Sequence, residues 1–179
     1  MKFIPQAIPD VILIEPDFFR DNRGHFFESY NQGEFSRSGI PQVFIQDNHS
    51  VSTKGVIRGL HYQIEPYAQA KLIRVIKGAI YDVAVDIRPG SKTFGKYVGN
   101  ELTAQNRQMV FVPAGFAHGF CALEDTEVLY KVTKLYAPEH QRGIRFDDPS
   151  IGISWPRMNY LLSEKDKSFP DFKKSALKG

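Results

Sequence analysis

Residues 55–63 read Gly-Val-Ile-Arg-Gly-Leu-His-Tyr-Gln, setting Arg58 and His61 into an otherwise apolar, strand-like segment. A second stretch, residues 113–120, brings His118 out of a glycine-punctuated turn. Two histidines delivered by separate loop-and-strand units suggest a pocket. Imidazole titrates near neutrality, so each is a candidate general base or metal ligand. By itself, a histidine on a strand can equally be a hydrogen-bonded structural residue.

The elements that must carry these residues are short and mostly extended. Residues 11–15, bounded by prolines, read as an edge strand. Residues 21–24 read as a turn and 24–30 as a strand, with Phe26 and Glu28 on one face and His25 and Phe27 on the other. A short helix is expected over 32–40, ended by Gly39 and Pro41, then a strand over 43–51 with Gln46 and Asn48 on one face. The strand over 56–63 follows. Residues 72–76 and 79–87 are two strands with Lys77-Gly78 between them at hairpin spacing. Asp82 and Asp86 share a face of the second, where solvated or salt-bridged roles are the simplest account. Further strands are expected over 93–102, 108–112 and 126–136, the last holding Tyr130, and a helix over 161–172. Short strands, regular Gly and Pro turns and few helices, mostly C-terminal, indicate a mainly β, jelly-roll sandwich or barrel. Residues 1–179 form one domain, with no repeat or linker to divide them.

Composition narrows the function classes. The only cysteine, Cys121, cannot form an intramolecular disulfide, and its apolar surroundings suit a buried thiol in a reducing compartment. A net charge of +3, with both signs interleaved, disfavours a nucleic-acid groove while permitting a local anion site. Pro5, Pro9 and Asp10 interrupt any signal-type apolar core, and no stretch is long enough to span a bilayer, so a cytoplasmic protein without a membrane partner is expected.

Gly55, His61, Gln63, Lys71 and Gly78, followed by Pro113, Gly115 and His118, resemble the two-part signature of the cupin superfamily. In metal-binding cupins the first part supplies two histidines and a carboxylate, and the second a further histidine. Here Gln63 stands two residues after His61, and Lys71 occupies the approximate place of the carboxylate. A protonated ammonium offers no lone pair and repels a cation. The resemblance therefore implies the fold with neither metal nor cofactor. In a metal-free pocket, a histidine can remove a proton beside a carbonyl, Lys71 can stabilise the enolate oxygen, and Tyr130 can reprotonate from the opposite face. Arginines can hold a diphosphate. Such parts suit an epimerase or isomerase of a keto sugar.

A closer resemblance is carried by Asp21, Arg23, Gly24, Phe26, Glu28, Gln46, Asn48, the 54–63 stretch, Lys71, Arg74, Gly78, Asp82, Asp86 and Arg88. Ser91, Thr93, Gly95, the 113–120 turn, Tyr130, Tyr136, Asp147-Asp148-Pro149 and Trp155-Pro156 continue it. Together, and in order, these residues are similar to the dTDP-4-dehydrorhamnose 3,5-epimerase family. The resemblance implies that His61 is the base, polarised by Asp166, with Lys71 stabilising the enolate and Tyr130 as the acid. It also implies that Arg58 and His118 line the sugar site, that Phe19, Arg23 and Glu28 contact the nucleotide sugar, and that Gln46 and Asn48 lie nearby. The implied reaction is metal-independent epimerisation of a nucleotide-diphosphate keto sugar, dTDP-4-dehydro-6-deoxy-D-glucose, at both carbons flanking the ketone. The implied assembly is a homodimer with crossing N-terminal strands, in which Phe19, Arg23 and Glu28 serve the neighbour's site. Where many relatives carry Glu and Trp, this chain has Gln141 and Phe146. Arg58 and His61 have opposite parity on an ideal strand, so both reach one pocket only if Gly59 supports a bulge or a strong twist. The alternatives are a mono-epimerase on a related 4-keto sugar, a metal-dependent cupin and a non-catalytic sugar-binding module.

Overall fold

Apolar runs punctuated by Gly and Pro become short strands in the computed structural model, which describes residues 1–175. In chain order they are β1 (Lys2–Pro5), β2 (Ile12–Glu15), β3 (Phe18–Asp21), β4 (Gly24–Phe27), β5 (Gln46–Ser52), β6 (Ile57–Gln63) and β7 (Lys71–Lys77). There follow β8 (Ala79–Asp86), β9 (Tyr97–Thr103), β10 (Met109–Val112), β11 (Phe116–Ala122), β12 (Thr126–Val132) and β13 (Gln141–Gly143). Helices are short: α1 (Gln32–Arg37), α2 (Glu164–Lys167) and α3 (Phe172–Ser175). A six-stranded sheet runs β1-β2-β10-β7-β12-β5, a five-stranded sheet runs β13-β6-β11-β8-β9, and β3-β4 is a separate hairpin. The chain is mainly β, with the antiparallel two-sheet form expected of a cupin-type jelly roll.

Strand alternation sorts side chains into three layers. Ile73, Val75, Val110, Val112 and Val128 from the larger sheet meet Ile80, Ala84, Val98, Leu102 and Phe120 from the smaller one. Outside the larger sheet, α1 buries Phe35 against Ile14, Leu72 and Phe111. Outside the smaller sheet, Leu60, Val83, Val85 and Ala117 are covered by Ile144, Ile151 and Phe172 from the C-terminal segment. No helix among the described residues is long and apolar enough to cross a membrane.

The expected irregularity at Gly59 is present. His118 pairs with His61, yet Phe120 pairs with Arg58, so three steps along β6 match two along β11. Cross-strand partners point to the same face, and the bulge therefore gives Arg58 and His61 the same inward direction. Gly59 has φ +137°, and a Cβ there would stand 2.6 Å from Gly119 Cα. Only glycine allows that backbone approach.

Three local expectations are corrected. The strand at residues 12–15 is interior, flanked by β1 and β10; its bounding prolines lie outside the paired residues and cost it no ladder bond. The Lys77-Gly78 step is not a hairpin, because β7 and β8 belong to different sheets. Gly78, at φ +77°, carries the chain from one sheet to the other, where a Cβ would stand 2.3 Å from the Asp125 carbonyl oxygen. The single helix expected over 161–172 is two short helices. Pro170 lacks an N–H and disfavours helical backbone at Phe169, so α2 ends before α3 begins.

Candidate active site

His61 and Asp166 come from elements far apart in the chain and meet at 2.6 Å, Nε2 to Oδ1. The Ser163 side chain caps α2 by accepting from the Asp166 N–H, which fixes the backbone that carries the carboxylate. A carboxylate accepts only, so Nε2–H donates to Asp166 and leaves Nδ1 as the basic ring atom. Burial lowers the His61 pKa, Asp166 opposes that shift, and the charges of Lys71 and His118 lower it further. A neutral imidazole at neutral pH follows, ready to take a proton.

The facing sheet supplies the other polar groups. Lys71 and Ile73 on β7 pair with Val132 and Tyr130 on β12, and Tyr130 and Val132 pair with Asn48 and Gln46 on β5. All six therefore share the inner face. Gln46 Nε2 donates to Asn48 Oδ1 at 2.9 Å, while Gln46 Oε1 accepts from the Tyr136 N–H at 3.1 Å. Burial pulls the Lys71 pKa down to about 8, with Asp82 acting in the opposite direction. Burial raises that of Tyr130, and nearby Arg58 offsets part of the rise. His61, Lys71, Tyr130, Gln46 and Asn48 line one cavity of about 270 Å³ between the sheets. A neighbouring space of about 450 Å³, lined by Arg58, Asp166 and Lys165, also touches His61. A separate cavity of about 530 Å³ lies among Tyr62, Ile87, Ile144 and Phe172 and contains none of the expected site residues.

His118 Nε2 lies 2.7 Å from Asp82 Oδ2, both side chains buried. Asp82 is thus neither solvated nor inert. It braces His118 and places negative charge near Lys71, while its Oδ1 has no hydrogen-bond partner among the described residues. Arg58 donates to Ser52 Oγ at 2.9 Å and to the Val51 carbonyl at 3.0 Å, which ties β6 to the end of β5. Gln63 is occupied structurally: its Nε2 donates to the carbonyls of Tyr67 and Leu135, and its Oε1 accepts from the Ala137 N–H. It therefore joins two loops rather than offering a lone pair to a ligand. No group of three or more His, Cys, Asp or Glu suited to a metal occurs among the described residues.

The remaining expected residues lie elsewhere. Phe19 is 70% exposed on the β3-β4 hairpin, and Arg23 in its turn pairs with Asp21. Glu28 accepts weakly from the side chain of Asn31, the cap of α1. None of the three lines the cavities around His61. Sequence reasoning noted Tyr136 and Gln141 without giving either a place in the site, and it gave Lys165 none. Tyr136 Oη and Lys165 Nζ both donate to Gln141 Oε1, forming a polar bridge beside both cavities. Tyr136 and Gln141 sit in or near loops, where no periodicity marks a pocket-facing side chain. For Asp82 the alternation shows only that it shares a face with Ala84; that Ala84 pairs with His118 emerges in the fold.

The profile of a family described as dTDP-4-dehydrorhamnose 3,5-epimerase matches residues 5–174. A dTDP-4-dehydrorhamnose 3,5-epimerase from Pseudomonas aeruginosa is 55% identical over 177 residues, covering 96% of this chain and 97% of its own. A dTDP-6-deoxy-D-glucose-3,5-epimerase structure from Legionella pneumophila, in complex with dTDP-4-keto-L-rhamnose, matches with a TM-score of 0.93 at 42% identity, covering 96% of this chain and 93% of that one. A dTDP-4-dehydrorhamnose 3-epimerase from Streptomyces niveus is 38% identical over 169 residues, covering 93% of this chain and 82% of its own.

Proposed function

The chain belongs to the dTDP-4-dehydrorhamnose 3,5-epimerase family, and from that premise we propose that His61 and Tyr130 work on opposite faces of a nucleotide 4-keto sugar held between the two sheets. The protein is an epimerase acting on dTDP-4-dehydro-6-deoxy-D-glucose, inverting both carbons beside the ketone to give dTDP-4-dehydro-L-rhamnose. His61 Nδ1 takes the proton from the carbon beside the ketone, and Asp166 stabilises the resulting imidazolium. Electron density moves to the ketone oxygen, where the Lys71 ammonium balances the enolate charge. Tyr130 returns a proton from the other face; once His61 has released its proton to solvent and Tyr130 has regained one, repetition at the second flanking carbon completes the double inversion. Asp82 keeps His118 oriented beside the sugar. Arg58 neutralises diphosphate charge, and Gln46 and Asn48 bind nearby.

The observation that carries this reading is the division of the pocket: His61 extends from the five-stranded sheet, whereas Lys71 and Tyr130 extend from the six-stranded one. Double rather than single inversion is favoured by the higher identity to the 3,5-epimerase from Pseudomonas aeruginosa than to the 3-epimerase from Streptomyces niveus. Incubation with dTDP-4-dehydro-6-deoxy-D-glucose in deuterium oxide, with chelator present, tests it by NMR. Deuterium at both flanking carbons is expected; incorporation at one identifies a mono-epimerase, and none removes the catalytic reading.

The working unit in this reading is a cytoplasmic homodimer of 1–179 single-domain chains. Support comes from the hairpin, whose Phe18, Phe19 and Phe26 are exposed, and from β5, which among the described residues leaves one edge of its sheet unpaired. The hairpin of one chain brings Phe19, Arg23 and Glu28 to the nucleotide in the other. The buried Cys121 thiol fits a reducing compartment.

A further inference from the structure

The ladder around His61 contains a gap that another part of the chain fills. On one side His61 pairs with His118 of β11; on the other its partner is Gly143 of β13, which has no side chain. The missing volume is supplied by Phe169, three residues beyond Asp166. A Cβ on Gly143 would stand 2.4 to 2.5 Å from three atoms of the Phe169 ring, so that ring lies directly on the glycine backbone. Its plane meets His61 at 78°, with centroids 5.4 Å apart, an edge-to-face contact. The Arg145 N–H donates to the Pro170 carbonyl at 3.0 Å and holds the segment just past Phe169 against the strand.

We propose that Phe169 is a positioning residue for the general base: seated on Gly143 beside His61, it holds the imidazole in line with Asp166 and keeps water from that side of the ring. The inference rests on the base role of His61. Asp166 and Phe169 arrive on one stretch of chain, anchored ahead of α2 by Leu161, which exchanges backbone hydrogen bonds with Gly55 and Ile57. One arm therefore delivers the partner that orients the base and the ring that shields it. The charged groups around His61 are Asp166 from α2, Lys71 from β7, His118 with Asp82 from β11 and β8, Lys165 from α2, and Arg58 on β6 itself. Burial is the largest influence on the His61 titration. Thinning the apolar cover raises the pKa of the imidazole without changing any of those charges.

The test compares Phe169→Ala, Phe169→Leu and Phe169→Tyr, using the pH profile of kcat/KM together with NMR titration of the His61 ring in each folded variant. Phe169→Ala is expected to lower kcat about ten-fold with a smaller change in KM. The acid limb and the His61 midpoint should move together to higher pH by about half a unit or more. Phe169→Leu should fall between Phe169→Ala and the parent, and Phe169→Tyr, which keeps the ring, should restore the parent limb. Unchanged His61 midpoints in Phe169→Ala and Phe169→Leu, or a loss of activity that Phe169→Tyr does not restore, overturn the inference. The titration reads His61 whether or not it is the base. A fully active His61→Ala enzyme removes the base role separately, while the NMR comparison still reports on Phe169.

Discussion

Two ionisable side chains set opposite limits on the chemistry. His61 acts when neutral, and burial lowers its pKa, so proton removal is retained until the solution is distinctly acidic. Lys71 acts when charged, and its pKa of about 8 means that its cation is lost just above neutrality. The exchange rate should therefore decline as pH rises through about 8, and that alkaline limb should disappear in Lys71→Met. The same substitution should slow exchange by about 10²- to 10³-fold, the range for losing one donor to a developing oxyanion. An unchanged rate at pH 7 would take Lys71 out of the enolate role. Histidines, lysine and tyrosine were legible in the sequence because their types announce their chemistry. Asp82 was less so: an aspartate on an alternating strand resembles a solvated one until the opposite sheet shuts it in, here at 1% exposure.

At the scale of elements, glycines and one buried carboxylate determine what the strands present. Gly59 marks the bulge that turns Arg58 and His61 to one face, and it was legible because strand parity alone forbids that arrangement. The course of Gly78 between sheets was not, since a hairpin turn and a crossing between sheets can use the same short glycine step. At the end of β8, Asp86 accepts from the backbone N–H, Nε and Nη2 of Arg88 and from the hydroxyls of Ser91 and Thr93. Burial would raise its pKa, but these bonds outweigh burial and hold the carboxyl well below the usual range. The stabilisation is complete above the ordinary carboxylate pKa of about 4 and is lost as pH falls toward the depressed value. Asp86→Asn should cost on the order of 3 kcal/mol in denaturant unfolding near pH 7. It should also flatten the loss of stability between about pH 5 and about pH 3. A parent and variant with equal slopes there would show that Asp86 is not the group responsible.

The whole molecule divides its labour between two sheets and an arm. Periodicity made the β class and the rhythm of strands readable, because apolar alternation directly records which face is buried. It could not specify which strands share a sheet, nor that residues 161–172 would cross back over β6, since long-range pairing leaves little local trace. The β3-β4 hairpin belongs to this scale too, exposing Phe19 and Arg23 away from His61 within one chain. Mixing an Arg23→Ala protein with a His61→Ala protein should recover activity, because one of the two sites in each mixed dimer would hold both native residues. No recovery under exchange conditions would count against shared sites. The central claim, a base and an acid on opposing walls, is tested most directly by following deuterium uptake and product configuration together in His61→Ala and Tyr130→Phe. The expected result is no uptake in His61→Ala, and in Tyr130→Phe continued uptake with little inverted product; uptake by His61→Ala equal to that of the parent would contradict it.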